Sequence, residues 1–101
     1  MTSECVSLSD NVIAINGSMT FYNAPALCTQ LLEILPKEQA STVDLKQVTE
    51  CDSASIVVLL QIVRFAAQHQ QVIKFVNMPK AMQILSELYD LVPIFKIQKY
   101  H

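Results

Sequence analysis

From Ser53 to about Gln68 the chain runs through sixteen positions with one charge, Arg64, and with neither glycine nor proline. The stretch has helical character, and its longest unbroken apolar run, Ile56 to Leu60, is far short of the ~20 residues a membrane span needs. A helix this apolar is not stable alone in water, so the rest of the chain must supply a core for it. At 100° per residue, Ile56, Leu59, Leu60, Val63, Ala66 and Ala67 fall on one broad face, which is the expected core face. The opposite face carries Ala54, Val58, Gln61 and Phe65, with Ile62 at its margin. Burying one such Val or Phe against a partner contributes roughly 1.5–3 kcal/mol. Two readings stay open for this second face: contact with another protein, or cover by another helix of the same chain.

The flanking sequence supplies strands. Asn11 to Asn16 is β-branched and apolar, and Gly17, the only glycine, marks a turn or bulge directly after it. The stretch around Cys5 to Leu8 can pair with it as a hairpin. Asn23 is an expected N-cap, with Pro25 in the first turn of a helix that carries Ala26, Leu27, Leu31, Ile34 and Leu35 and ends at Pro36. Ser41 to Leu45 is an expected strand, Lys46 to Cys51 a loop, His69-Gln70-Gln71 a polar turn, and Val72 to Val76 another strand. Pro79 opens a third helix to about Tyr89, and Phe95 to Ile97 is an expected final short strand. In the third helix Ala81, Ile84, Leu85 and Leu88 form the expected core stripe. Met82 and Tyr89 share a flank beside it, as partner-contact residues or as part of a broader core. Strands alternating with helices predict an α/β fold, a mixed sheet with about three to four helices packed on it.

Length and composition narrow the function. The 101 residues argue for a single domain, 1–101, and 51% hydrophobic residues argue for a packed core. With 16% charged residues, some apolar surface is expected to need a partner. A formal charge of −2 and the lack of a basic stripe speak against nucleic acid. The first residues show neither a positive region nor an apolar run of the signal-peptide kind, so a cytoplasmic, non-inserted protein is expected. Cys5, Cys28 and Cys51 lack Cys-x-x-Cys spacing, which predicts reduced, buried thiols rather than a disulfide framework or a metal site.

No catalytic set is expected. His69 lies in a turn and His101 is the last residue. Ser53 and His69 fall at opposite ends of one helix, ~24 Å apart, so they make no nucleophile–base pair. One glycine cannot build a phosphate-cradling loop. Asp44 and Asp52 are better explained as a strand-end and a capping carboxylate than as a catalytic pair. No cofactor is expected.

Asp52 and Ser53 both have N-cap chemistry at the head of the apolar helix. A Ser there can cap the helix, offer a hydroxyl to a partner, or carry a phosphoryl group, since helix N-termini accept anions. The local residues do not choose among these.

Val43-Asp44-Leu45, Val48 and Cys51-Asp52-Ser53-Ala54-Ser55-Ile56 resemble the signature of STAS domains, in which a V-D-L strand leads through a loop to D-[S/T]-x-G at a helix head. Ile15-Asn16-Gly17-Ser18-Met19-Thr20-Phe21 resembles the family's glycine-containing early strand end, and Val76-Asn77 with Ala81, Leu85, Leu88-Tyr89 and Leu91 resembles its last strand and helix. The resemblance covers most of the chain and implies a STAS-like fold. Its last segment is closer to the MlaB-type subunit of phospholipid-transporting ABC complexes than to the anti-sigma-factor antagonists. The first group implies a non-catalytic subunit that binds the ATPase, and through it a permease, at the cytoplasmic side of the inner membrane. The second implies an antagonist whose partner is an anti-sigma-factor kinase. In both, the position carried over is Ser53 with Asp52 before it. Position 55 departs from the family, with Ser where Gly is usual, which is expected to narrow a partner's approach and to add a second hydroxyl open to phosphorylation. The expected partner surface is thus Asp52, Ser53, Ala54, Val58, Gln61, Phe65, Met82 and Tyr89, with Ser53 and Ser55 as candidate phosphorylation sites.

Overall fold

The computed structural model describes residues 6–38 and 42–95. Its elements are β1 (Val6–Ser9), β2 (Val12–Ile15), β3 (Gly17–Met19), α1 (Ala24–Glu38), β4 (Thr42–Asp44), β5 (Val48–Cys51), α2 (Ser53–Gln68), β6 (Lys74–Val76), α3 (Lys80–Leu88) and α4 (Val92–Phe95). Cys5, Ser41 and the Lys96–Ile97 part of the expected last strand lie outside the described residues.

The four strands β1-β2-β4-β6 form a mixed sheet in that order: β1 and β2 are antiparallel, and β2–β4 and β4–β6 are parallel. Asp10 and Asn11, both at positive φ (48° and 67°), make the two-residue turn of the first hairpin. Short polar side chains tolerate that conformation, and its twist matches the strands. The register places Val6 opposite Ile15, Ile13 opposite Val43 and Val43 opposite Phe75 on one face. These join Leu27, Leu31 and Leu35 of α1 and Ile56, Leu59 and Ile62 of α2 in one core.

Several boundaries differ from expectation. At Gly17 the bulge alternative holds, but the strand that carries it was not expected: Gly17 begins β3, which pairs in parallel with β5 through a register shift at Gly17–Ser18. Gly17 sits at φ +87°, and a Cβ there would meet nothing within 4 Å, so the backbone conformation rather than crowding is what calls for glycine. The expected loop Lys46–Cys51 is strand from Val48 onward, because β3 offers it a partner that periodicity alone does not reveal. Pro36 does not end α1, which runs to Glu38. The bond it removes is its own N–H to the Leu32 carbonyl, near the end of the helix and on a side where Leu32 is exposed. Asn23 does not cap α1 with its side chain; its Oδ1 accepts from Thr20 N–H at 2.8 Å instead. Phe95 closes a short helix rather than a strand and meets Phe75 edge to face at 5.6 Å.

Two helices end without glycine. Gln70 after α2 (φ 55°) and Asp90 after α3 (φ 56°) are left-handed. Gln71 N–H donates to the Ala66 carbonyl at 2.9 Å and Leu91 N–H to that of Ser86 at 2.8 Å. This is the Schellman ending, in which a side chain at the left-handed position is strained. Gln70→Gly should therefore stabilise the domain by about 0.5–1 kcal/mol in urea unfolding. A decrease would show that the Gln70 side chain contributes more than its backbone strain costs.

Candidate site at the head of the second helix

Helix α2 begins where β5 ends, beside β3. Asp52 is its N-cap, with extended backbone (φ −129°, ψ −167°), and its Oδ1 accepts from Ala54 N–H at 2.8 Å. The other oxygen, Oδ2, accepts from Phe21 N–H at 3.0 Å in the loop before α1. Asp52 N–H donates to the Met19 carbonyl at 3.3 Å, continuing the β3–β5 contact into the helix. Both carboxylate oxygens and the main chain of Asp52 are thus engaged.

With Asp52 holding the cap, Ser53 is the first helical residue and is exposed. Its hydroxyl makes no hydrogen bond among the described residues. Capping, one of the three roles open to it in sequence, is taken by its neighbour, which leaves an accessible hydroxyl at the positive end of the helix.

Ser55 behaves in the opposite way. It is 0% exposed, and its Oγ donates to the Asp52 carbonyl at 2.8 Å. The expectation that Ser55 narrows a partner's approach or accepts a phosphoryl group is corrected by this burial, because a hydroxyl folded back under the cap is closed to partner and kinase alike. The same hydroxyl touches Cys51. Burial pushes the Cys51 thiol up; the Ser55 hydrogen bond pulls it down, and the Asp52 carboxylate pushes it up again. Cys28 is raised by burial too, so neither thiol is an activated nucleophile. Both are free and half-buried, less enclosed than expected.

The two-face reading of α2 needs rotation. Val58 is 0% exposed and Phe65 is buried, as is Met82 on α3. These three expected partner contacts belong to the core of the isolated chain. Helix α2 lies between α1 and α3, so both its flanks are covered and the buried arc spans Ser55, Ile56, Val58, Leu59, Ile62, Phe65 and Ala66. The His69 ring stacks on Phe65 at 4.1 Å and closes that end. Leu60 and Val63 of the expected core face are only half-buried, and Ala67 is exposed.

The outward face is therefore Ser53, Val57, Leu60, Gln61 and Arg64. Val57 is 53% exposed, and a shallow groove of about 370 Å³ runs along this face. Of the residues singled out in sequence, Asp52, Ser53, Ala54 and Gln61 lie on or beside it, exposed or half-buried. Tyr89 is exposed at the end of α3. The expected α3 stripe is partly turned as well: Ala81, Ile84 and Leu88 face outward, Leu85 is half-buried against the core, and Met82 and Ser86 face in. Sequence reasoning missed Val57, although Arg64, the lone charge, marks the solvent direction and lies seven residues, hence about 20° of helix rotation, from it. It also missed Phe21 and Tyr22, which nothing in the α2 pattern could locate.

Asp44 and Asp52 do not share partners. Asp44 Oδ1 accepts from Lys46 N–H at 2.9 Å and Asn77 Nδ2 at 3.0 Å, tying β4 to the end of β6. No group of three or more His, Cys, Asp or Glu that could hold a metal occurs among the described residues. Nor, among them, is any helix long and apolar enough to cross a membrane.

A family model described as "Mlab, STAS domain" matches residues 6–94. Comparison with curated proteins finds no match. Among solved structures, a Thermotoga maritima protein assigned as an anti-sigma factor antagonist superposes with a TM-score of 0.76 at 18% identity, over 94% of this chain and 85% of that one. The anti-sigma factor antagonist SpoIIAA, in its unphosphorylated form, superposes with a TM-score of 0.62 at 11% identity, over 85% of this chain and 80% of that one. At these identities the likeness is one of fold.

Proposed function

We propose, since the chain belongs to the STAS domain family, that it is a non-catalytic, single-domain subunit that docks on the ATPase of an ABC-type phospholipid transporter and supports its assembly or activity. The observation that carries this reading is the state of Ser53: exposed, uncapped and unbonded among the described residues, at the head of a helix whose outward face continues as Val57, Leu60, Gln61 and Arg64. An apolar strip bordered by one cation and one free hydroxyl suits protein contact and offers no reacting pair. Of the two branches the resemblance points to, the Mlab-type family match supports the transporter subunit, placed beside the inner membrane by its partner. Affinity purification of the tagged chain from native membranes should recover an ABC ATPase together with a permease. Recovery of neither would count decisively against the reading.

Ser53→Glu should leave the fold intact and weaken ATPase binding about ten-fold or more, by placing bulk and charge where the small hydroxyl meets the partner. Titration calorimetry with unchanged affinity would remove Ser53 from the contact.

The exposed hydroxyl also favours a second reading, an anti-sigma-factor antagonist switched by phosphorylation of Ser53. The helix N-terminus would accept the anion, while Asp52 would oppose it. Intact-mass analysis after incubation with endogenous kinases decides: a gain of one phosphoryl group on Ser53 supports this reading, and none removes its mechanism.

A further inference from the structure

The loop between β3 and α1 displays two aromatic rings to solvent. Phe21 is 71% and Tyr22 96% exposed, and their rings meet edge to face with centroids 6.2 Å apart. Aromatic side chains, Phe and Tyr included, are enriched at protein interfaces, so a pair shown side by side in water is more than scattered surface apolarity. The loop that presents them is held by several bonds. Asn23 Oδ1 accepts from Thr20 N–H at 2.8 Å and from Thr20 Oγ1 at 3.2 Å, and Asn23 Nδ2 donates to the Ser18 carbonyl. One further tie leaves the loop altogether: Phe21 N–H reaches Oδ2 of Asp52, 31 residues away in sequence.

Capping α2 requires one oxygen, and Ser or Asn would serve as well as Asp. Asp52 uses its second oxygen on a different element. A carboxylate can accept on both sides at once, whereas a hydroxyl or an amide offers a single oxygen. The aspartate thus joins the aromatic loop to the helix head immediately before Ser53.

We infer that Asp52 is a positioning residue that latches the Phe21–Tyr22 loop beside Ser53, and that the aromatic pair is the second half of the surface that docks the ATPase. The inference rests on the docking reading above and goes beyond it by moving Asp52 from direct contact to support. The occupant is the same ATPase subunit, because the latch makes the loop continuous with the head of α2, where the proposed docking surface begins.

Two measurements test it. The first uses the chain alone: amide exchange by NMR in wild type, Asp52→Asn and Asp52→Ala, each normalised to a core amide such as Val43. Asp52→Ala should speed exchange at Phe21 about ten-fold, as expected for loss of a bond to a charged acceptor. In Asp52→Asn the single oxygen should stay with Ala54, so Phe21 is freed while the cap is kept. Unchanged Phe21 exchange in Asp52→Ala overturns the latch. The second uses the ATPase recovered with the wild-type chain. Phe21→Ala and Asp52→Asn should each weaken binding about ten-fold, and the double variant no further, since both remove one presentation of one ring. Additive losses, or no loss in Phe21→Ala, overturn the contact role. A wild-type chain that binds no ATPase overturns the docking reading and the contact role with it, while the exchange measurement still decides the latch.

Discussion

Val58→Asp unfolds the isolated domain. Val58 is fully buried on the flank of α2, inside the core formed with the sheet and the neighbouring helices. A carboxylate there would sit in the apolar core, cut off from water. The change combines lost apolar burial with a desolvated or protonated acid, a loss of about 4 kcal/mol or more. Domains of this size have roughly 5–15 kcal/mol in total. The variant should show a urea midpoint lowered by at least half, or no cooperative transition at 37 °C, by far-UV circular dichroism. A stable, native-like Val58→Asp monomer would return Val58 to the surface and undo the rotation of α2 described above. Phe65→Asp should behave similarly, since its ring lies under that of His69.

Val57→Asp gives the complementary result: a folded domain with much weakened binding to the proposed partner. Val57 is half exposed on the outward face, beside Leu60, Gln61 and Arg64. Placing a charge there leaves the core untouched, so unfolding should shift by less than about 0.5 kcal/mol. In the docked state proposed above the same carboxylate would sit in a desolvated contact, and affinity for the proposed ATPase partner should fall about a hundred-fold. Adjacent residues with opposite outcomes make a sharp pair, because a one-residue step turns the helix by 100°. Full binding by Val57→Asp would remove the outward face of α2 from the docking surface and leave the head of the helix alone.

The comparison between pattern and fold is most instructive on α2. Its span, Ser53–Gln68, agrees with the apolar pattern because Asp52 supplies a cap and the segment lacks a breaker. Its orientation does not. The hydrophobic pattern surrounds most of the helix, so no single arc stands out as the buried one. Arg64 was the best local pointer to solvent, and a wheel oriented on it puts Val57 outside and Val58 inside. On α3 the apolar stripe Ala81, Ile84 and Leu88 misleads for a related reason: the buried contacts come from Met82 and Ser86, and Ser86 satisfies its hydroxyl within the helix by donating to the Met82 carbonyl at 2.9 Å. A polar residue that bonds to its own helix can face a core that sequence would reserve for leucine.

Strand β5 and the loop before α1 were illegible for a different reason. The residues from Val48 to Cys51 become a strand because β3 lies alongside. Phe21 is held at the head of α2 because its N–H donates to Asp52 across the fold. Neither fact has a local signature, since each partner is about thirty positions away.

By itself the sequence determined the order of most elements, the α/β class, the family likeness and the place of Asp52-Ser53 at a helix head. Each of these depends on neighbours within a few residues, where caps, breakers and spacing act. Only the tertiary structure decided which hydroxyl is free. Asp52, not Ser53, caps the helix, Ser55 is folded beneath the cap, and the outward strip begins at Ser53 and runs through Val57. The choice of cap follows the bonds of Asp52 to Ala54 and, across the fold, to Phe21, and the direction of the strip depends on how far α1 and α3 reach around α2. That reach is set by packing between distant segments, and the period of one helix carries no record of it.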